Sequence, residues 1–330
     1  MGLRTFLRRR FNWAYQYGFK KSTIRFCGIT KENYRDYLSD ASFQAGHPWN
    51  GLYSSIIDNK LYLPYLFKDY PEYIPRFLYF KDRYGFLPLT SSSNPPRIST
   101  EDFLSEIRIL KRVVLKAVCG EVGRGFLLLE LSDLGEFLLN KKIISSNELE
   151  SLLNELDNYI IQAYVEQHHE LSAINPTSLN TLRVVLIWNP DRKTFVVGPC
   201  FHRFGCNGNV VDNLGSGNGL LVYVDSKTGK YMNYGVLNVQ GKGESLIENV
   251  THPNSGFVFS GKDVINFNTI TEKLVEIMNS MSFLNFVALD IAIKDDGFCI
   301  IETNSYPDPA IAQFTGGWLK DPDISPYFKR

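Results

Sequence analysis

The stretch that most constrains this chain is residues 286–304, where two apolar runs flank Asp295-Asp296-Gly297. Apolar runs around a short polar connection ending in Gly predict a β-hairpin, because Gly supplies the left-handed backbone such loops require. If Lys294 and Phe298 close the loop, Asp290 and Glu302 fall directly opposite one another. Asn304, two residues on, shares their face, since side chains alternate along a strand. Opposed carboxylates, with Cβ atoms about 5 Å apart, repel. The arrangement makes sense where a cation lies between them. Mg²⁺ suits the oxygen donors, because it takes few protein carboxylates and keeps phosphate or water as its remaining ligands. The alternative is an edge aspartate and a strand-end glutamate paired with a lysine.

A chain of 330 residues, 44% apolar and 21% charged, can bury a large core and is expected to be soluble, globular and divided into two or three lobes. Zero formal net charge gives no case for a nucleic-acid partner. Cys27, Cys119, Cys200, Cys206 and Cys299 form no C-x-x-C pair, and their odd number fits free thiols in a reducing, cytoplasmic compartment. His202 between Cys200 and Cys206 is the nearest approach to a metal cluster. No run is long enough to span a membrane, and no signal-peptide core is present. Residues 1–25, however, carry Arg4, Arg8, Arg9, Arg10, Lys20, Lys21 and Arg25 interleaved with aromatics. Such a segment suits peripheral contact with the inner face of an anionic membrane. A solvated arm packed through its aromatics is the other reading.

Three regions are expected. Residues 1–94 form an N-terminal region, a basic arm followed by a helical and extended lobe, ending at the breaker cluster 91–96. Residues 95–166 form a small lobe. A helix over 100–110 leads into the strand 112–117, then the glycine loop Gly120-Glu121-Val122-Gly123-Arg124-Gly125, then the strand 126–129. This is not a Walker site, because no Lys-Ser/Thr and helix follow the glycines. Such a loop can fold its backbone N–H groups over phosphates, with Lys116 and Arg124 adding charge; a plain hairpin loop is equally compatible. Segments 132–139 and 147–156 read as helices, and 159–165 as a strand. Residues 167–330 form a large lobe containing strands over 182–187, 194–204 and 220–224. It also holds a polar glycine-rich loop over 205–219 and an amphipathic helix over 263–281. Arg183, inside a buried strand, wants an anionic partner, either a ligand or a core acid.

The ordered set of these pieces resembles the ATP-grasp superfamily, most closely its sugar-transfer-associated branch from polysaccharide biosynthesis loci. The marks are Lys116 with the glycine loop, residues 161–165, Asn180-Thr181-Leu182-Arg183, Val211-Asp212-Asn213, and Asp290 with Glu302-Thr303-Asn304. The resemblance spans about residues 95–310, and the first 90 residues add little to it. It implies an α+β, ATP-grasp fold in which two lobes with antiparallel sheets grip ATP, with an aromatic-rich N-terminal extension.

The resemblance also implies roles. Lys116 would contact the α- and β-phosphates, and Gly123, Arg124 and Gly125 would close over the β- and γ-phosphates. Gln162, Ala163, Tyr164 and Val165 would read adenine through their backbone, with Glu170 on the ribose. Asn213 joins this nucleotide-binding set, and the loop around it is the candidate acceptor side. Asp290, Glu302 and Asn304 would hold Mg²⁺. Arg183 and Arg203 would face the transferred phosphoryl group. Many ligases of the superfamily carry Arg two residues before the first metal acid, where this chain has Ala288, and Glu where it has Gln162. The implied activity is ATP-dependent carboxylate–amine ligation through an acyl phosphate, releasing ADP and phosphate. Its substrates would be a small molecule bearing a carboxylate (an amino acid or sugar acid) and an amine or sugar acceptor. The runner-up is phosphoryl transfer to a hydroxyl on the same nucleotide site. A non-enzymatic alternative is a nucleotide-binding scaffold docked on the membrane.

Overall fold

The computed structural model describes residues 13–89, 95–120, 123, 125–240 and 242–329. Two seven-stranded antiparallel sheets organise it, giving a mixed α+β architecture. The first contains β1 (Phe77–Asp82), β2 (Gly85–Pro88), β3 (Arg112–Ala117), β4 (Leu127–Leu131), β5 (Phe137–Leu139), β6 (Lys142–Ile144) and β7 (Tyr159–Ala163). Their order is β2-β1-β7-β3-β4-β5-β6. The second contains β8 (Thr181–Asn189), β9 (Thr194–Gly205), β10 (Gly219–Val224), β11 (Tyr231–Val239), β12 (Gly243–Glu248), β13 (Phe286–Lys294) and β14 (Gly297–Asn304). Their order is β12-β11-β10-β9-β8-β13-β14.

Four helices matter to the site: α1 (Tyr53–Ile57), α2 (Thr100–Leu110), α3 (Ser146–Glu155) and α4 (Phe267–Asn279). Ser99 and Asp102 close a capping box at the start of α2, and Ser145 and Glu148 do the same for α3. Both helices bury an apolar stripe, Phe103 and Ile107 from α2 and Leu149 and Leu153 from α3, against Val113, Leu129 and Ile161 of the first sheet. In the second lobe α4 packs Ile270, Leu274, Ile277 and Met278 onto one face of the sheet. The opposite face of β8 and β13 is covered by Phe43, Trp318, Ile324 and Tyr327. Burial from both sides explains why β13 reads as an almost unbroken apolar run rather than an alternating one.

Three sequence expectations change. Residues 77–88, expected in a separate N-terminal region, complete the first sheet, because β1 pairs with β7. The segment 132–139 is a turn followed by β5, not a helix. Ser132 and Glu136 bond across the turn, and β5 returns into β6 through Asn140 and Lys141, both with positive φ. That is the backbone of a tight two-residue hairpin loop, and it leaves no length for helical turns. Third, the hairpin at the C-terminal end closes between Lys294 and Gly297, not Lys294 and Phe298. Asp290 nevertheless pairs with Glu302, because the register shifts by one between Asp290 and Ile291, leaving Ile301 as the extra residue of a β-bulge.

Candidate active site

A cavity of about 680 Å³ lies between the two sheets. β3 and the turn after it bring Lys116, Gly120 and Gly123 to its wall; the end of β7 brings Gln162, Ala163, Tyr164 and Val165. Pairing of β7 ends at Gln162 with β1 and at Ala163 with β3, so Tyr164 and Val165 run past the sheet along the cavity. The second sheet contributes Arg183, Arg203, Asp290, Glu302 and Asn304, and the loop after β9 contributes Asp212 and Asn213.

Strand register explains the meeting of the charged groups. Asp290 pairs with Arg183 across β13 and β8, and Arg183 pairs with Phe201, two residues before Arg203. The Arg183 Nε and Nη2 donate to the two Asp290 carboxylate oxygens at 2.5 and 2.6 Å. Arg203 Nη2 lies 2.9 Å from Asp290 Oδ2. Burial alone would raise the Asp290 carboxyl, but the two arginines outweigh it and hold it at about 2. Asp212, also buried, accepts from the Thr181 N–H at 2.8 Å and the Thr181 hydroxyl at 2.5 Å. Burial pushes its carboxyl up, against the opposing influence of Arg203 and Thr181. Lys116 is pulled below its ordinary value by burial, with Glu302 opposing and Lys60 reinforcing the fall.

Of the residues expected at the site, two stand away from the cavity. Glu170 is exposed in the first turn of the helix His169–Ile174, where its N–H donates to His168 Nδ1. Gly125 has φ +73 and packs on β3 and β7, where a Cβ would lie 2.8 Å from the Tyr159 hydroxyl oxygen. Arg124 and residues 1–12 of the basic arm lie outside the described residues. Asn213 lines the cavity but turns its side chain to the Gly215 N–H, 2.8 Å away. His202 faces away from Arg203, as strand alternation demands. It is buried with Tyr231 (Nδ1 to hydroxyl 2.6 Å), which gives it a structural place in the core rather than a ligand's.

The N-terminal region supplies what sequence reading missed. Ser55, Asp58, Asn59 and Lys60 line the cavity. The Thr303 hydroxyl donates to the Ile57 carbonyl, and Asp58 accepts from Ser305 N–H at 2.6 Å and its hydroxyl at 2.5 Å. Lys60 Nζ then lies 3.1 Å from Glu302 Oε1 and donates to the Gly120 carbonyl at 2.7 Å. Nothing local marks this segment, because Asp58 meets Ser305, 247 residues on, and Lys60 meets Gly120, 60 residues on.

The donor set Asp290, Glu302 and Asn304 is all oxygen, the chemistry a magnesium ion selects. Glu302 and the Asn304 side-chain oxygen can serve such a group, since both residues reach the cavity. Asp290 already carries two guanidiniums, so its share of a metal site is limited to its remaining lone pair. Among the described lining residues, the cations Lys60, Lys116, Arg183 and Arg203 are matched by Asp58, Asp212, Asp290 and Glu302. An evenly balanced wall leaves no surplus charge for a triphosphate, which again suits a divalent cation.

The model of the family described as sugar-transfer-associated ATP-grasp matches residues 54–319. The chain belongs to this family. The match begins in α1, so it includes the Asp58–Lys60 segment and excludes only the ends of the chain. Among solved structures, this ATP-grasp protein is similar to the ATP-grasp ligase PsnB complexed with minimal precursor: identity is 11%, covering 78% of this chain and 55% of that one, with a TM-score of 0.37. D-alanine–D-alanine ligase from Bacillus anthracis gives 12%, 84%, 67% and 0.40 for the same quantities. N5-carboxyaminoimidazole synthetase from Staphylococcus aureus, complexed with ADP, gives 11%, 83%, 53% and 0.43. The chain thus spans about half the length of the first of these. No curated protein matches it.

Proposed function

We propose that this ATP-grasp protein is an ATP- and Mg²⁺-dependent ligase that joins a carboxylate to an amine, or a related nucleophile, through an acyl phosphate. The observation that carries this reading is the convergence on one cavity of Lys116, the 162–165 strand end, Arg183, Arg203, Asp290, Glu302 and Asn304.

In this reading the backbone of Gln162 to Val165 holds adenine, Lys116 and the Gly123 N–H hold phosphates, and Glu302, Asn304 and the remaining lone pair of Asp290 hold the metal. Bound there, Mg²⁺ would neutralise charge on the phosphates. A substrate carboxylate oxygen attacks the γ-phosphorus, the bond to ADP breaks, and an acyl phosphate results. The amine then attacks the acyl carbon; the C–N bond forms, the C–O bond to phosphate breaks, and the nitrogen loses a proton to solvent. Positioning and charge neutralisation do most of this work. Arg203, kept charged by Asp212 and Asp290 despite its burial, and Arg183 supply fixed positive charge where the phosphoryl group passes.

The polysaccharide or cell-envelope setting rests on the family's description, and an amino acid or sugar acid with an amine or sugar acceptor on the same ground. Among the described residues no helix is long and apolar enough to cross a membrane. Contact with an anionic membrane surface rests on the exposed Tyr15, Tyr17, Lys20, Lys21 and Arg25. Flotation with anionic liposomes, with and without residues 1–25, tests that part; equal binding removes it.

The central test is thermal shift with ATP, with and without Mg²⁺, for wild type and Glu302→Ala, followed by product analysis with pooled amino acids and uronic acids. Metal-dependent stabilisation of wild type alone, with ADP and phosphate as products, is expected. Equal stabilisation of both proteins by metal-free ATP overturns the metal site; AMP and pyrophosphate overturn the ligase chemistry.

A further inference from the structure

Lys60 occupies a position that the nucleotide reading does not use. Its ammonium bridges two groups from opposite walls, the Glu302 carboxylate at 3.1 Å and the Gly120 carbonyl at 2.7 Å. Its side chain is only 10% exposed, so the contact is sheltered from the solvent screening that weakens surface pairs. The backbone beneath it is fixed on both sides. Asp58 is bonded twice to Ser305, and the Lys60 N–H donates to the Val118 carbonyl at 3.3 Å, just beyond β3. The backbone that carries the ammonium is therefore fixed beside Glu302.

Glu302 is also a residue that the proposed reading gives to Mg²⁺. An ammonium at hydrogen-bonding distance and a divalent cation on the same carboxylate repel strongly in a site this enclosed. One must yield. Lys60 has a second place to go: its flexible stem and three donors suit a phosphate oxygen, and the nucleotide's phosphates would lie against the Gly120 side of the cavity.

We infer that Lys60 is the counter-cation of Glu302 before metal and nucleotide bind, competing with the divalent metal for that carboxylate and moving to the phosphates of ATP when metal and nucleotide bind together. Metal alone must displace a held ammonium with nowhere favourable to put it; metal arriving with ATP does not. Binding of the two is therefore coupled through this residue. Lys60 is a positioning residue, not a catalytic one, and the inference rests on the ATP and Mg²⁺ reading above.

The test uses the full chain and two binding readouts of opposite expected sign. Mn²⁺ alone is titrated by electron paramagnetic resonance, and ATP with Mg²⁺ by calorimetry, for wild type, Lys60→Met, Lys60→Gln and Glu302→Gln. Removing the competing charge should tighten Mn²⁺ alone at least threefold in both Lys60 variants and weaken ATP with Mg²⁺ at least tenfold. A residue that merely held the wall together would weaken both. Variants in which both affinities fall, or neither changes, overturn the inference; Lys60→Gln decides if Lys60→Met does not fold. Wild type that binds no ATP at all overturns the nucleotide reading itself. Mn²⁺ binding unaltered in Glu302→Gln overturns the competition, because the carboxylate would then not be the metal's ligand.

Discussion

Asp290 and Glu302 face each other across β13 and β14 although their hairpin closes in a register that would not pair them. Continued evenly from Ile291 opposite Ile300, the ladder would set Asp290 against Ile301 and turn Glu302 to the other face. The bulge at Ile301 reverses this, and it is the reason that both carboxylates reach one cavity. The positive charge beside Asp290 comes from Arg183 and Arg203, whereas Glu302 meets Lys60.

Breaking the buried pair tests what Arg183 does for the fold. Arg183→Met should destabilise the protein by about 3 kcal/mol, because Asp290 keeps only one of its two cations. The double variant Arg183→Met/Asp290→Asn should recover part of that loss, because the neutral amide needs no second cation and its oxygen can still accept from Arg203. Urea unfolding measures both, and equal losses in the single and double variants would show that the charge pair is not the cause.

Asp58 staples the segment before β1 to the chain leaving β14. Replacing it with Ala leaves the Ser305 N–H and hydroxyl without their acceptor and should cost about 2 kcal/mol. Hydrogen exchange should accelerate at Ser305 and Thr303 more than at the centre of β8. Uniform acceleration would mean that the staple is not local.

Gly205 ends β9 where the 206–218 loop folds back. A Cβ there would lie 2.6 Å from the Ser178 hydroxyl oxygen and 3.0 Å from the carbonyl oxygens of Asn209 and Val211. Gly205→Ala should cost about 2 kcal/mol through overpacking, and should weaken ATP binding by shifting the loop that holds Asp212 and Asn213. Calorimetry checks this; unchanged affinity would separate the loop from the nucleotide site.

His202 gives a pH dependence with a definite sign. Burial pulls its imidazole down to about 3, so the folded protein binds fewer protons than the unfolded chain below the ordinary His value of about 6.5. Stability should therefore fall as pH drops from about 6.5 toward 3, by about 2 kcal/mol between pH 7 and 5 for this group. Urea unfolding at the two pH values should show a smaller difference in His202→Gln. Equal differences would exclude His202 as the source.

Local chemistry made much of this protein legible. Acids in the first turn, Glu101 and Asp102, marked α2, and apolar spacing marked α3 and the amphipathic segment containing α4. The cation, glycine loop and acidic hairpin in their order carried the ATP-grasp resemblance. Errors came where short-range signals compete. Residues 132–139 have apolar content at helical spacing, yet Asn140-Lys141 can close a tight hairpin, and pairing with β4 decides for the strand.

The sequence by itself determined the acidic hairpin, the glycine loop and the strands that carry Lys116, Arg183 and Arg203, because each depends on the spacing of neighbours along the chain. The tertiary structure alone decided that Asp290 is clamped by two arginines, that Ile301 bulges, and that Asp58 and Lys60 reach β14 from the N-terminal region. Those outcomes depend on partners that meet only in the folded chain, Arg183 and Asp290 107 residues apart and Asp58 and Ser305 247 apart. There a one-residue shift in register or a single buried charge changes which partner wins.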